Sequence, residues 1–142
     1  MVSTVLFASV RNAGRTQMAA AWFNALAHPD KARAVSAGTD PAEAVYPQVL
    51  EVMRDVGLDL SSREPTVLTP PLTSSADLII VIGPPSPEPL VEGAGEREEW
   101  LVVDPLGEPK ERIRDVARDI ERLVRRLLVA RHWMPFGAST PP

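Results

Sequence analysis

Near its start the chain reads Val5-Leu6-Phe7-Ala8-Ser9-Val10-Arg11-Asn12-Ala13-Gly14-Arg15-Thr16. These are the parts of an oxyanion cradle: an apolar strand, a short loop with a serine at its head and an arginine at its foot, and a helix start. Such a turn aims backbone N–H groups at one point, and the helix N-terminus adds partial positive charge. The amides of Val10, Arg11, Asn12, Ala13, Gly14 and Thr16 are therefore candidate anion ligands beside the Arg15 side chain. Gly14 permits close backbone approach or an unusual dihedral. Arg15 can fork onto two oxygens of a tetrahedral anion, and Arg11 offers a second cation at the mouth. Asn12 is suited to hold the loop through bonds to its own backbone. Thr16 can cap the helix or hydrogen-bond Ser9. By pattern alone, S-x5-R fits equally a plain strand-to-helix turn with two solvated arginines. Much later in the chain Asp104 precedes Pro105, a pair common in strand-end turns.

Hydrophobic periodicity gives the elements that must position these residues. Strands are expected over 5–8, 32–37, 78–82 and 100–103, with helices over 16–27, 47–56 and 109–131. The first helix turns Met18, Trp22 and Leu26 inward, the second Val49, Val52, Met53 and Val56, and the last Ile113, Val116, Ile120, Leu123 and Leu127. Pro47 opens the second helix, and Gly57 sits where a left-handed cap belongs. Residues 61–75 read as a connection with at most a short helix, and 83–95, rich in proline and glycine, as a loop. The Glu96-Arg97-Glu98-Glu99 run reads as a solvated face, as do the arginines of the last helix. Leu78-Ile79-Ile80-Val81-Ile82 has no polar alternation, as expected of a central parallel strand covered on both sides. The expected fold is α/β: a three-layer sandwich with a four-stranded parallel sheet flanked by helices. Ligands of such sheets bind beyond the carboxyl ends of the strands. The topology brings 9–15, 83–95 and Asp104 to that one rim.

With 142 residues and a net charge of −4, the chain is expected to form one domain over 1–134, with a flexible tail at 135–142. The charge disfavours nucleic acid as a partner, and no apolar run reaches membrane-spanning length. A cytoplasmic location and a bacterial, high-GC source are expected. The chain has no cysteine and two histidines, His28 and His132, so neither a thiolate nor a histidine metal site is expected, and no cofactor.

Taken together, Val5-Leu6-Phe7, Asn12 through Ala19, Val35-Ser36-Ala37-Gly38-Thr39, Met53 through Ser61, Ala76-Asp77-Leu78 and Asp104-Pro105 resemble the low-molecular-weight tyrosine phosphatases, closest to their thioredoxin-coupled arsenate reductase branch. The resemblance covers about 5–128. It implies that the loop and Arg15 bind phosphate, arsenate or another tetrahedral oxyanion, that Ser9 stands where the nucleophilic cysteine belongs, and that Asp104 matches the acid that protonates the leaving group. The resolving cysteines of the reductases are absent too, with proline and glutamate at their expected positions in 83–89. A single laboratory change would leave those cysteines in place, so the pattern points to an inherited loss.

The departures bear directly on activity. A thiolate is stabilised by such a loop, whereas a serine hydroxyl needs an adjacent base. Arsenate reduction takes two electrons from sulfur, and none is present. Three readings follow: an oxyanion-binding protein without reductase activity, a weak phosphatase using Ser9 or water with Asp104 as acid, or an interaction module for a protein partner with a vestigial pocket.

Overall fold

A computed structural model of the chain describes residues 1–85 and 95–135. The expected tail, apart from Pro135, and most of the loop after the third strand lie outside the described residues. The elements run β1 (Ser3–Ser9), α1 (Arg15–Leu26), β2 (Ala32–Gly38), α2 (Pro47–Asp55), α3 (Pro70–Ser75), β3 (Leu78–Gly83), β4 (Glu96–Leu101) and α4 (Lys110–Ala130). The four strands form one parallel sheet in the order β2-β1-β3-β4.

Alternation along the central strands builds a core on each face of the sheet. Val5, Phe7, Leu78, Ile80 and Ile82 point toward α1, α2 and α4. Leu6, Ala8, Ile79 and Val81 point the other way, onto Ala37, Leu68 and Ala76, with Leu72 of α3 packed against them. This accounts for the unbroken apolar run of β3, since both of its faces are covered. Phe7 is fully buried, with its ring 5.5 Å from Trp100 and 6.1 Å from Phe23. Trp133 closes the end of α1 by packing on Phe23 at 5.9 Å. On α1, Met18 and Trp22 are buried as expected, while Leu26 is only half-buried. Lys110 and Arg114 of α4 reach Asp55 of α2, and Lys110 also holds Glu51, which ties the two helices at the surface.

One strand departs from the sequence reading. The expected strand at 100–103 is instead Glu96–Leu101, so the acidic run is part of the sheet. β4 is an edge strand, pairing Leu78 with Glu96 through Gly83 with Leu101. Its backbone makes the ladder while its side chains stay in solvent, apart from the buried Trp100 and the half-buried Glu98. Charged edge strands resist pairing with other chains and carry no hydrophobic signal. No helix among the described residues is long and apolar enough to cross a membrane.

The Phe7 cluster joins β1, α1 and β4, so Phe7→Ala removes the centre of the larger core. The expected loss is about 3–5 kcal/mol, read as a lower midpoint in urea denaturation at unchanged slope.

Candidate functional site

The loop between β1 and α1 is held from outside by the segment that follows β2. Thr39 N–H donates to Ser9 O (3.1 Å), Asp40 N–H to Val10 O (2.8 Å), Ala42 N–H to Arg11 O (3.0 Å) and Tyr46 N–H to Ala13 O (3.0 Å). The loop's carbonyls are thus spent on one side. The N–H groups of Val10, Arg11, Ala13, Gly14 and Arg15 have no acceptor among the described residues. Ala13, Gly14 and Arg15 are buried, and buried donors without acceptors are rare in proteins. The sequence at β2's end makes this packing possible. A Cβ on Gly38 would lie 2.5 Å from the Val10 carbonyl oxygen and 3.0 Å from the Asn12 Cβ.

The turn itself is set by Asn12, which takes a left-handed conformation at φ 49°. Sequence reasoning gave Asn12 bonds to its own backbone; the structure corrects this. Its Nδ2 donates to Thr16 Oγ1 (2.8 Å), while its Oδ1 accepts from Thr66 N–H (2.9 Å) and Gln17 Nε2 (3.1 Å). Neighbouring elements supply those partners, and a local motif does not reveal them. Gly14 keeps a negative φ of −140° and serves close approach: a Cβ there would meet Pro105 Cγ at 3.0 Å and the Tyr46 ring at 3.3 Å. Thr16 makes no side-chain cap; its hydroxyl instead bonds Ser9 Oγ at 3.1 Å. Ser9 Oγ also accepts the Asn12 N–H at 3.1 Å. Its partners among the described residues are therefore an amide donor and another hydroxyl, and neither is a base.

Arg15 is 7% exposed along its side chain. Nη1 donates to two backbone carbonyls, Val102 O (2.7 Å) and Pro84 O (2.8 Å). A guanidinium has five donor hydrogens, so Nη2 and Nε are left, with no hydrogen-bond acceptor among the described residues. Asp104 Oδ2 stands 3.9 Å from Nη2. Burial lowers the Arg15 pKa while Asp104 and Tyr46 oppose the shift, and the guanidinium keeps its charge. Asp104 Oδ1 accepts the Leu106 N–H at 3.0 Å, so the turn geometry read from the sequence is present, and the side chain also lines the pocket. Arg11 does not stand free at the mouth: it pairs with Asp40 Oδ2 at 2.9 Å and bonds the Asp40 carbonyl. The complementary charge two residues past Gly38 decides this, and only the fold brings it near.

Sequence reasoning missed three contributors. Tyr46, the chain's one tyrosine, lines the pocket with Ser9, Arg15, Pro85 and Asp104. Burial raises its pKa, Asp104 raises it further, and Arg11 and Arg15 pull it down, which leaves a neutral phenol at the mouth. Gln17 is 1% exposed and donates to Asn12 O (3.0 Å) and Glu64 O (3.3 Å) as well as to Asn12 Oδ1. Arg63 in turn donates to Gln17 Oε1 at 3.3 Å. A polar residue inside the apolar stretch of α1 was the available signal for Gln17.

The cavity at the loop measures about 20 Å³, room for a water or two. A groove of about 490 Å³ between β4 and α4 is larger. Its Arg131 is already paired with Glu96 and Glu98.

Residues 4–132 match the model of the low molecular weight phosphotyrosine protein phosphatases. The chain belongs to that family. A Halobacterium salinarum protein bearing the name arsenate reductase is 34% identical over 122 residues, covering 83% of this chain and 85% of its own. Among solved structures, the thioredoxin-dependent arsenate reductase of Corynebacterium glutamicum superposes with a TM-score of 0.77 at 27% identity over 92% of this chain. This chain spans 62% of that protein's length. A low molecular weight protein tyrosine phosphatase from T. tengcongensis gives a TM-score of 0.78 at 25% identity, covering 89% of this chain and 97% of that one. The family fold expected from the sequence, a four-stranded parallel sheet between helices, is therefore present, in a member with no cysteine.

Because Gly38 touches Val10 and Asn12, Gly38→Ala must displace the loop. The expected cost is about 1–3 kcal/mol, measured by urea denaturation, with amide resonances of 10–14 shifting more than those of β3.

Proposed function

We propose that this chain binds phosphate or arsenate in the loop 9–15 and turns it over slowly or not at all. The observation that carries the reading is the run of loop amides at Val10, Arg11, Ala13, Gly14 and Arg15 with no acceptor among the described residues, beside the Nε/Nη2 edge of a buried arginine that has none there either. Backbone donors at a helix start with a fixed guanidinium are the chemistry of a tetrahedral oxyanion site. Serine at position 9 favours holding the anion. A thiolate there would repel it, whereas a neutral hydroxyl can donate a hydrogen bond to it. The same residue opposes chemistry, because no base contacts Ser9 among the described residues. Arsenate reduction is opposed more strongly, since the chain has no thiol to supply electrons.

Calorimetric titration with phosphate and with arsenate tests the reading. Binding is expected with both, and Arg15→Ala should weaken it at least about tenfold, the loss of one charge-assisted pair. No heat with either anion would overturn the proposal.

Asp104 at the same pocket favours a second reading, a residual phosphatase with Asp104 as acid. Aryl phosphate hydrolysis is expected at background in the native chain and above it in Ser9→Cys, with Asp104→Asn lowering the restored rate. Native hydrolysis that falls in Asp104→Asn would favour the second reading instead.

A further inference from the structure

We infer that Asp104 makes the loop selective for oxyanions that still carry a proton, inorganic phosphate and arsenate, over sulfate. The inference rests on the oxyanion-binding reading and names the ligand class of that site. Arg15 Nη2 and Asp104 Oδ2 line one small cavity and lie 3.9 Å apart. That is too long for a hydrogen bond and is the spacing that a bridging oxygen would span. With hydrogen bonds of about 2.9 Å to the guanidinium and about 2.7 Å to the carboxylate, the angle at the bridging oxygen is about 90°. Such an oxygen must accept from Nη2 and donate to Oδ2. Among the oxygens of an oxyanion, only a protonated one does both.

The carboxylate cannot easily turn away. Its Oδ1 is held by the Leu106 N–H at 3.0 Å, in a turn closed by Pro105 against Gly14. Arg15 is equally fixed, with Nη1 on Val102 O and Pro84 O. Among the described residues no other side chain around the cavity supplies a second carboxylate: Arg11 is a cation paired with Asp40, Tyr46 is a neutral phenol, and Ser9 is a hydroxyl. Phosphate and arsenate retain at least one O–H through neutral pH and satisfy Asp104. Sulfate has none, and its oxygen at the bridging position would face a carboxylate with no proton between them. A phosphomonoester that has lost its second proton, above a pKa of about 6, is disfavoured for the same reason.

The test is a set of calorimetric titrations with phosphate, arsenate and sulfate at constant ionic strength and neutral pH. The proteins are the native chain, Asp104→Asn and, as the loop control, Arg15→Ala. The amide introduced in Asp104→Asn keeps an acceptor for the Leu106 N–H and can donate to sulfate. The native chain is expected to prefer phosphate and arsenate over sulfate by at least about tenfold. In Asp104→Asn the ratio should fall to about threefold or less, chiefly through sulfate binding more tightly. A structural role alone would weaken all three anions together and leave the ratio intact. Equal binding of phosphate and sulfate by the native chain, or a ratio that survives in Asp104→Asn, overturns the inference and leaves the oxyanion site standing. If none of the three anions binds the native chain, both fall.

Discussion

Everything at the site depends on which way the loop's peptide groups face. Four carbonyls, those of Ser9, Val10, Arg11 and Ala13, are held by amides of the segment 39–46. With those carbonyls held on the outside, the N–H groups of Val10, Arg11, Ala13, Gly14 and Arg15 have no acceptor among the described residues, while the Asn12 N–H is taken by Ser9 Oγ. The parallel pairing of β1 with β2 puts Ser9 beside Gly38, so the holding segment begins where the loop begins. The missing side chain at Gly38 lets the two backbones close, and the left-handed Asn12 lets the loop turn. The β3 and β4 ends then contribute Pro84 and Val102 carbonyls, which fix Arg15 across the rim of the sheet.

Within that frame a single atom decides the chemistry. A sulfur at position 9 would ionise under the influence of the amides and the helix start, giving a nucleophile but also a charge that competes with the bound anion. Oxygen stays neutral there, hydrogen-bonded to Thr16 and to the Asn12 amide. An oxygen in place of the sulfur thus leaves that position of the cradle uncharged. The buried polar lattice of Asn12, Thr16 and Gln17 beneath it is intact, with donors matched to acceptors, so the loop is built to keep one shape.

Much of the fold was legible because its signals are local. Alternating periodicity gave the strands and helices, and the unbroken run of β3 announced a strand buried on both faces. The edge strand β4 was misplaced because backbone pairing holds it while glutamates line it. At the site, Ser9, Arg15 and Asp104 were named from spacing and resemblance, and the structure brings Arg15 and Asp104 together. Neither the capture of Arg11 by Asp40 nor the reach of Gln17 to Glu64 and Arg63 could be read, since both join segments far apart in sequence. Tyr46 carried no motif, and only the packing of α2's start against Gly14 places it at the mouth.

The most direct test of the account is to follow backbone amide resonances while inorganic phosphate is added. The account predicts shifts concentrated at Val10, Arg11, Ala13, Gly14 and Arg15, together with the Arg15 Nε–H signal, because those donors acquire an acceptor. Unmoved loop amides at phosphate concentrations that shift signals elsewhere, or that shift none at all, would contradict it.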